Sequence, residues 1–257
     1  MSRNRAFEDL SLGQGADGDA MTLGLLRRLV RESCMAVEML EAALAALWEL
    51  DVDAAERVRR SDDEIDAEEV EIERQCLEVL SHETVSEEAF RRTAFVLKVN
   101  ADVERVADHA NSIAKIVQQM ASMRPEGAPS PRWPTSLVEL GQRVPAMCHA
   151  LLRAVLDADG RAALAILRTD KTIDQLDRRL FEETVASISS GDDVQAAEGL
   201  LIHRVGRELE RVGDLMKSIA EDLIYRETGC IVRHAGRAAK AAAVDDLEAS
   251  RRTGGAA

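Results

Sequence analysis

Between Gly24 and Pro125 the chain contains neither glycine nor proline. Tight turns between antiparallel strands draw on those two residues, so a hairpin-rich fold cannot be written in such a stretch. What fits is a set of helices joined by short polar turns. Aromatic residues make up only 3% of the 257 residues, while Ala, Leu, Glu and Arg dominate. These side chains lose little freedom in a helix and suit a pleated sheet poorly. An apolar fraction of 46% is enough for a sizeable core.

Apolar spacing divides the stretch into three amphipathic helices. Leu26, Leu29, Val37, Leu40, Leu44 and Leu47 recur at steps of three and four, broken by Ser33, and mark one helix face. Asp51 and Asp53 then offer a turn and a new N-cap. The second helix carries Val58, Ile65, Ile72 and Leu80 and is expected to stop near Ser81 and His82. Thr84 and Glu87 have the spacing of a capping box for the third. That helix directs Phe95, Val99, Val103, Val106, Ala110, Ile113 and Val117 to the core before Pro125 ends it.

The pattern then begins again. A shift of 108 residues places Met147 on Met39, Leu152 on Leu44, Asp159 on Asp51 and Asp174 on Asp66. A shift of 106 lays Glu208-Leu-Glu-Arg-Val-Gly-Asp214 over Asp102-Val-Glu-Arg-Val-Ala-Asp108. An internal period of this length means one supersecondary unit used twice. The expected fold is all-α, two tandem three-helix bundles with six helices. Residues 21–124 form the first repeat, 125–134 a proline-rich linker and 135–234 the second repeat; 1–20 and 235–257 read as flexible ends.

The polar residues carry the candidate site. On a helix turning about 100° per residue, Glu104 and Asp108 point the same way, and so do Glu210 and Asp214 in the second unit. The second helix of each unit adds Asp62 with Asp66 and Asp170 with Asp174, again four residues apart. If the second and third helices pack as antiparallel neighbours, four carboxylates per bundle share a groove, and a hard or borderline cation is the natural compensation. The competing reading is a solvated acidic helix face, or neutralisation by Arg105 and Arg211 or by Lys115 and Lys217. Recurrence in both units brings the cation level with these readings, and no single residue settles between them. His109 follows Asp108, but its counterpart is Leu215, so it reads as an ordinary exposed or capping histidine.

With 33 basic against 47 acidic residues the formal charge is -14, which argues against direct contact with nucleic acid or anionic lipid. Cys34, Cys76, Cys148 and Cys230 lie far apart without ligand spacing and read as reduced, buried thiols of a cytoplasmic protein. Neither a membrane span nor a signal-peptide stretch is present in the sequence, so membrane contact is expected only through partners.

The two motifs give the chain a resemblance to the PhoU family, whose repeats carry Leu-Lys-Ile followed by Asp-Leu-Glu-Arg-Ile-Gly-Asp-His. Here the first copy reads Leu97-Lys98-Val99, then the 102–108 motif, His109 and Asn111-Ser-Ile-Ala114. The second reads Glu208 to Asp214, then Ser218-Ile-Ala-Glu221, and closes with Gly229-Cys-Ile-Val-Arg-His234. The likeness covers about residues 21–234. It departs from the family in lacking an Arg-Gln-Pro segment between helices two and three, and in Ala107 and Leu215. The resemblance implies a cytoplasmic, often homodimeric negative regulator, active when phosphate is plentiful. Its implied partners are the ATPase subunit of a phosphate ABC transporter and a phosphate-sensing histidine kinase. It further implies bound metal ions of the iron, manganese, magnesium or zinc type, in some relatives multinuclear iron. Carried over, the ligands are Asp62, Asp66, Glu104, Asp108, Asp170, Asp174, Glu210 and Asp214. No catalysis is expected. Two other readings are a metal-free scaffold serving another phosphate permease and a di-iron or ferritin-like enzyme. The latter usually needs Glu-x-x-His pairs, and none occurs in this sequence.

Overall fold

The computed structural model describes the backbone of residues 5–81, 85–125, 128, 131–190 and 193–254, and the side chains of 20–81, 85–125, 128, 131–169, 171–189, 195–236, 238–246 and 249. Among these residues the secondary structure is entirely helical. Helices α1 (Arg5–Glu49), α2 (Val52–Leu80) and α3 (Glu87–Met123) pack mutually as one bundle; α4 (Thr135–Leu156), α5 (Gly160–Ser190) and α6 (Asp193–Thr228) form the second. The bundles join where α3 packs against α6 and α1 against α4. Each apolar position expected on the third helix, from Phe95 to Val117, is buried.

The first turn of each bundle is the same device. Leu50 and Ala158, related by the 108-residue shift, both adopt φ 51°. The amide of the following Asp51 bonds to Ala46 O at 2.9 Å, and that of Asp159 to Ala154 O at 2.9 Å. This six-to-one bond around a left-handed residue is a Schellman-type stop, usually built on glycine. The same aspartates then cap the next helix. Asp51 Oδ1 accepts from Ala54 N at 2.9 Å, and Asp159 Oδ1 from the amides of Arg161 and Ala162 at 2.9 and 3.0 Å.

Several expectations are corrected. There are seven helices among the described residues, not six: α7 (Arg237–Gly254) occupies the tail taken as flexible. Its alanine-rich sequence favours helix, and Val244 is buried against Gly160, where a Cβ would lie 3.3 Å from both valine methyls. Helix α1 likewise reaches back to Arg5, through most of the stretch taken as a flexible start; residues 1–4 lie outside the described residues. The cap of α3 is Ser86, whose Oγ accepts from Ala89 N at 3.1 Å; Thr84, expected in that role, lies outside the described residues, as does His82. Only Cys76 and Cys148 are buried, since Cys34 and Cys230 fall on helix and loop surfaces. Trp133 of the linker packs edge-on against Trp48, ring centres 5.4 Å apart, tying the connection to α1.

A left-handed alanine carries a Cβ penalty that glycine lacks. Ala158→Gly should therefore raise stability by about 1 kcal/mol, read from urea denaturation. A loss of stability would contradict this account of the turn.

Candidate functional site

Helices α2 and α3 bring the first bundle's acids together. Asn111 of α3 donates to Asp62 Oδ2 on α2, while Asp62 Oδ1 is buried without a hydrogen-bond partner among the described residues. One side of the groove is deeper than the pattern suggested. Asn100 is buried, its Nδ2 donating to the Glu69 carbonyl at 2.8 Å, with its Oδ1 unpartnered. Asp66 and Asp108 are exposed, and Glu104 is half-buried between them and the core.

Burial, then the neighbouring charges of Asp108, Glu69 and Asp66, push the Glu104 carboxyl up to about 7. Burial also raises Asp62 above the usual carboxylate range, against the opposing hydrogen bond from Asn111. The innermost member is one that the spacing analysis passed over. Glu32 of α1 is 0% exposed, and among the described residues neither of its side-chain oxygens has a hydrogen-bond partner. Burial, reinforced by Glu68, Glu69 and Glu104, pushes it up to about 8. The nearby cation Arg28 is committed elsewhere, its Nη2 lying 2.8 Å from Glu68.

The second bundle differs. Glu210 and Asp174 are half-buried, Asp214 is exposed, and the side chain of Asp170 lies outside the described residues. Arg207 Nη1 lies 3.1 Å from Asp177 Oδ2 and 3.3 Å from Glu210 Oε2, and Lys217 lies 3.9 Å from Asp214. Burial raises the Glu210 carboxyl and Arg207 opposes the rise. The arginines expected to neutralise the motif acids turn to others: Arg105 reaches Asp102 at 3.2 Å and Arg211 reaches Glu208 at 3.4 Å. Among the described residues no three His, Cys, Asp or Glu side chains form a ready-made metal shell. In donor chemistry the first groove still fits a hard cation, because it holds crowded carboxylates and orphaned buried oxygens.

His109 is not the exposed histidine expected from the sequence. Its Nδ1 lies 2.7 Å from Glu208 Oε2 across the α3–α6 junction, both side chains being largely buried. Burial works to raise Glu208, but His109 and the flanking arginines more than offset it and leave the carboxyl below its ordinary range. A second clasp lies farther along: Asp222, 3% exposed, accepts from Lys98 Nζ at 2.6 Å and from Arg233 Nη2 at 2.9 Å. Arg233 belongs to the closing segment, where Gly229 takes φ 70° and its amide bonds to Tyr225 O at 2.8 Å. Gly229 is therefore the left-handed stop of α6.

The PhoU domain model matches residues 29–117 and again residues 137–223, one match per bundle. The chain belongs to the PhoU family. The phosphate-specific transport system accessory protein PhoU homolog of Deinococcus radiodurans is 31% identical over 192 residues, covering 74% of this chain and 87% of that protein. The Pseudomonas aeruginosa homolog is 31% identical over 195 residues, covering 76% and 78%. The crystal structure of PhoU from P. aeruginosa aligns with a TM-score of 0.76 at 28% identity over 82% of this chain and 99% of that one. That of the phosphate transport system regulatory protein PhoU from Streptococcus pneumoniae aligns at 0.73 and 26%, over 84% and 99%. The duplicated all-α PhoU architecture expected from the sequence is thus the observed one.

The unpaired acids of the first groove have a measurable consequence. In folded, chelator-treated protein Glu104 and Glu32 keep their protons up to about 7 and about 8, whereas the ordinary value is 4.5. Across that window the folded chain binds more protons than the unfolded one, so stability falls as pH rises from about 4.5 toward about 8. Thermal melting should show this decline, and Glu32→Gln should flatten most of it. A variant with the wild-type slope would contradict the assignment.

Proposed function

We propose that this protein is an accessory regulator of phosphate uptake that works by binding rather than by catalysis. In this reading it couples the ATPase subunit of a phosphate ABC transporter to a phosphate-sensing histidine kinase in the cytoplasm, and represses starvation genes when phosphate is plentiful. The observation that carries the reading is the family match in both bundles, together with relatives named as phosphate transport accessory proteins over three quarters of the chain. No helix among the described residues is long and apolar enough to cross a membrane. That agrees with membrane contact through partners, and an assembly of two copies is part of the same proposal.

The metal reading belongs here as well. Asp62, Asp66, Glu104 and Asp108 would hold a divalent or trivalent cation, iron, manganese, magnesium or zinc, and the ion would supply the charge that cancels their mutual repulsion. Asp170, Asp174, Glu210 and Asp214 are the corresponding set of the second bundle. The protein's own part is to hold these acids on α2 and α3 so that they face one groove, with Asn111 orienting Asp62. A metal-free scaffold is the second reading, and the lack of a ready-made shell among the described residues favours it.

Deleting the gene should switch phosphate-starvation genes on in phosphate-rich medium, and the intact gene supplied in trans should restore repression. Normal repression in the deletion strain would contradict the regulatory reading. Capture of the tagged protein from membranes should bring down the transporter ATPase and the kinase.

A further inference from the structure

The two bundles share one backbone plan, so every acid of the first groove can be compared with its counterpart in the second. The 108-residue shift places Leu140 where the first bundle has Glu32, and Asp177 where it has Glu69. The 106-residue shift places Gly206 at Asn100, Arg207 at Ala101, Glu210 at Glu104 and Lys217 at Asn111. These replacements make the second groove less acidic, while Lys115 of the first bundle gives way to Glu221, which pairs with Lys240 of α7. The second bundle has lost an interior carboxyl and an interior amide, and has gained a guanidinium and an ammonium.

The gained guanidinium sits where the acids need it. Arg207 lies within 3.3 Å of both the α5 carboxylate of Asp177 and the α6 carboxylate of Glu210, bridging the two helices. An arginine cannot give up its proton in a protein, so this charge is permanent. A cation entering that groove would have to displace it or meet its repulsion. Ala101, at the matching place in the first bundle, brings no charge.

The first bundle shows the opposite imbalance. Glu32, Asp62, Asp66, Glu69, Glu104 and Asp108 come from three helices and influence one another's charge. Lys115 acts on Asp62, Arg28 is held by Glu68, and Arg105 and Arg211 line the cleft beside Asp108 while pairing with Asp102 and Glu208. Glu32 is fully buried and Asn100 is 1% exposed, and among the described residues neither Glu32 oxygen nor the Asn100 carbonyl oxygen has a hydrogen-bond partner. Buried polar atoms of this kind are almost always satisfied in folded proteins, by the chain itself, by water or by an ion. Here they lie among acids that outnumber the cations acting on them.

We propose that the cation site of this chain is confined to the first bundle, extended inward by Glu32 and Asn100, and that Arg207 is the second bundle's built-in substitute for the ion. The proposal rests on the metal reading given under the proposed function. The donors proposed are all oxygens, and Nδ1 of the nearby His109 is engaged by Glu208. Oxygen-only donors suit a hard divalent ion such as manganese or magnesium better than zinc.

The test uses the full chain, freed of metal by chelator and titrated with manganese(II) alone. Calorimetry, with electron paramagnetic resonance of the unbound ion, counts the sites. Wild type should show one class of site, located in the first bundle. Glu104→Gln combined with Asp108→Asn should weaken it by about tenfold or more. Glu210→Gln combined with Asp214→Asn should leave it unchanged.

The reciprocal exchanges address Arg207 directly. Ala101→Arg should abolish binding, and Arg207→Ala should add a second class of site. Arg207→Gln serves if the alanine variant does not fold by circular dichroism. Two equivalent sites in wild type, or loss of binding in the Glu210 and Asp214 variant, overturns the confinement and leaves the metal reading standing. A wild type that binds no manganese overturns both. An unaltered site count in the Arg207 variants, or undiminished affinity in Ala101→Arg, overturns the role given to Arg207.

Discussion

The packing of α3 against α6 holds the two repeats in one body, and it sets where every charged residue of the motifs can point. Its apolar part is a shared space lined by Val99, Val103, Val106, Leu151, Met216 and Ile219, with contributions from all four helices at the junction. Each such side chain contributes about 1.5–3 kcal/mol when fully buried. The sum offsets the cost of enclosing ionic groups at the same junction. His109 with Glu208, and Lys98 with Asp222 and Arg233, are those groups. In these pairs Asp222 and Glu208 are the enclosed carboxylates, and removing a partner would leave one without its donor, which ties the two bundles to this register.

Once the seams of α3 and α6 face each other, Glu104 comes under the charges of Asp66 and Glu69 on α2 and Glu210 under those of Asp174 and Asp177 on α5, while Asp108 and Asp214 line a cleft between α3 and α6 with Arg105 and Arg211. The same backbone then meets two different electrostatic outcomes. In the second bundle Arg207 spans the helices and offsets part of the acids' charge, although burial and the neighbouring Asp214, Asp177 and Asp174 still raise Glu210. In the first, carboxylates crowd against the buried Glu32 and Asn100, and the imbalance remains for protons or a cation to correct. A gene duplication preserves helix spacing far more readily than it preserves the charge at each site, because the seam tolerates little change while a half-exposed position tolerates much.

Much of the fold was legible because helical period and turn chemistry are local. The seam from Phe95 to Val117, the aspartate caps and the repeat itself all follow from spacing. Glu32 left a readable trace, for it falls on the buried ladder of Leu25, Leu29, Ala36 and Leu40, where an apolar residue belongs. Arg207 was readable too, as a residue three before Glu210 with alanine as its counterpart. The pairing of His109 with Glu208 was not readable, since it depends on how two bundles dock, and nothing in either stripe encodes that register. Helix α7 was missed because its apolar face is little more than Val244, yet the open surface at Gly160 makes that one side chain sufficient for packing.

The central claim is that one duplicated frame carries an acidic groove without a bridging cation in one half and a groove spanned by Arg207 in the other. Anomalous diffraction from crystals soaked in manganese, collected above the metal's absorption edge, tests it most directly. The account predicts density beside Glu104 and Asp108 and none beside Glu210 and Asp214, where Arg207 should still bridge to Asp177. Peaks of equal height in both grooves, or a peak beside Glu210 alone, would contradict it.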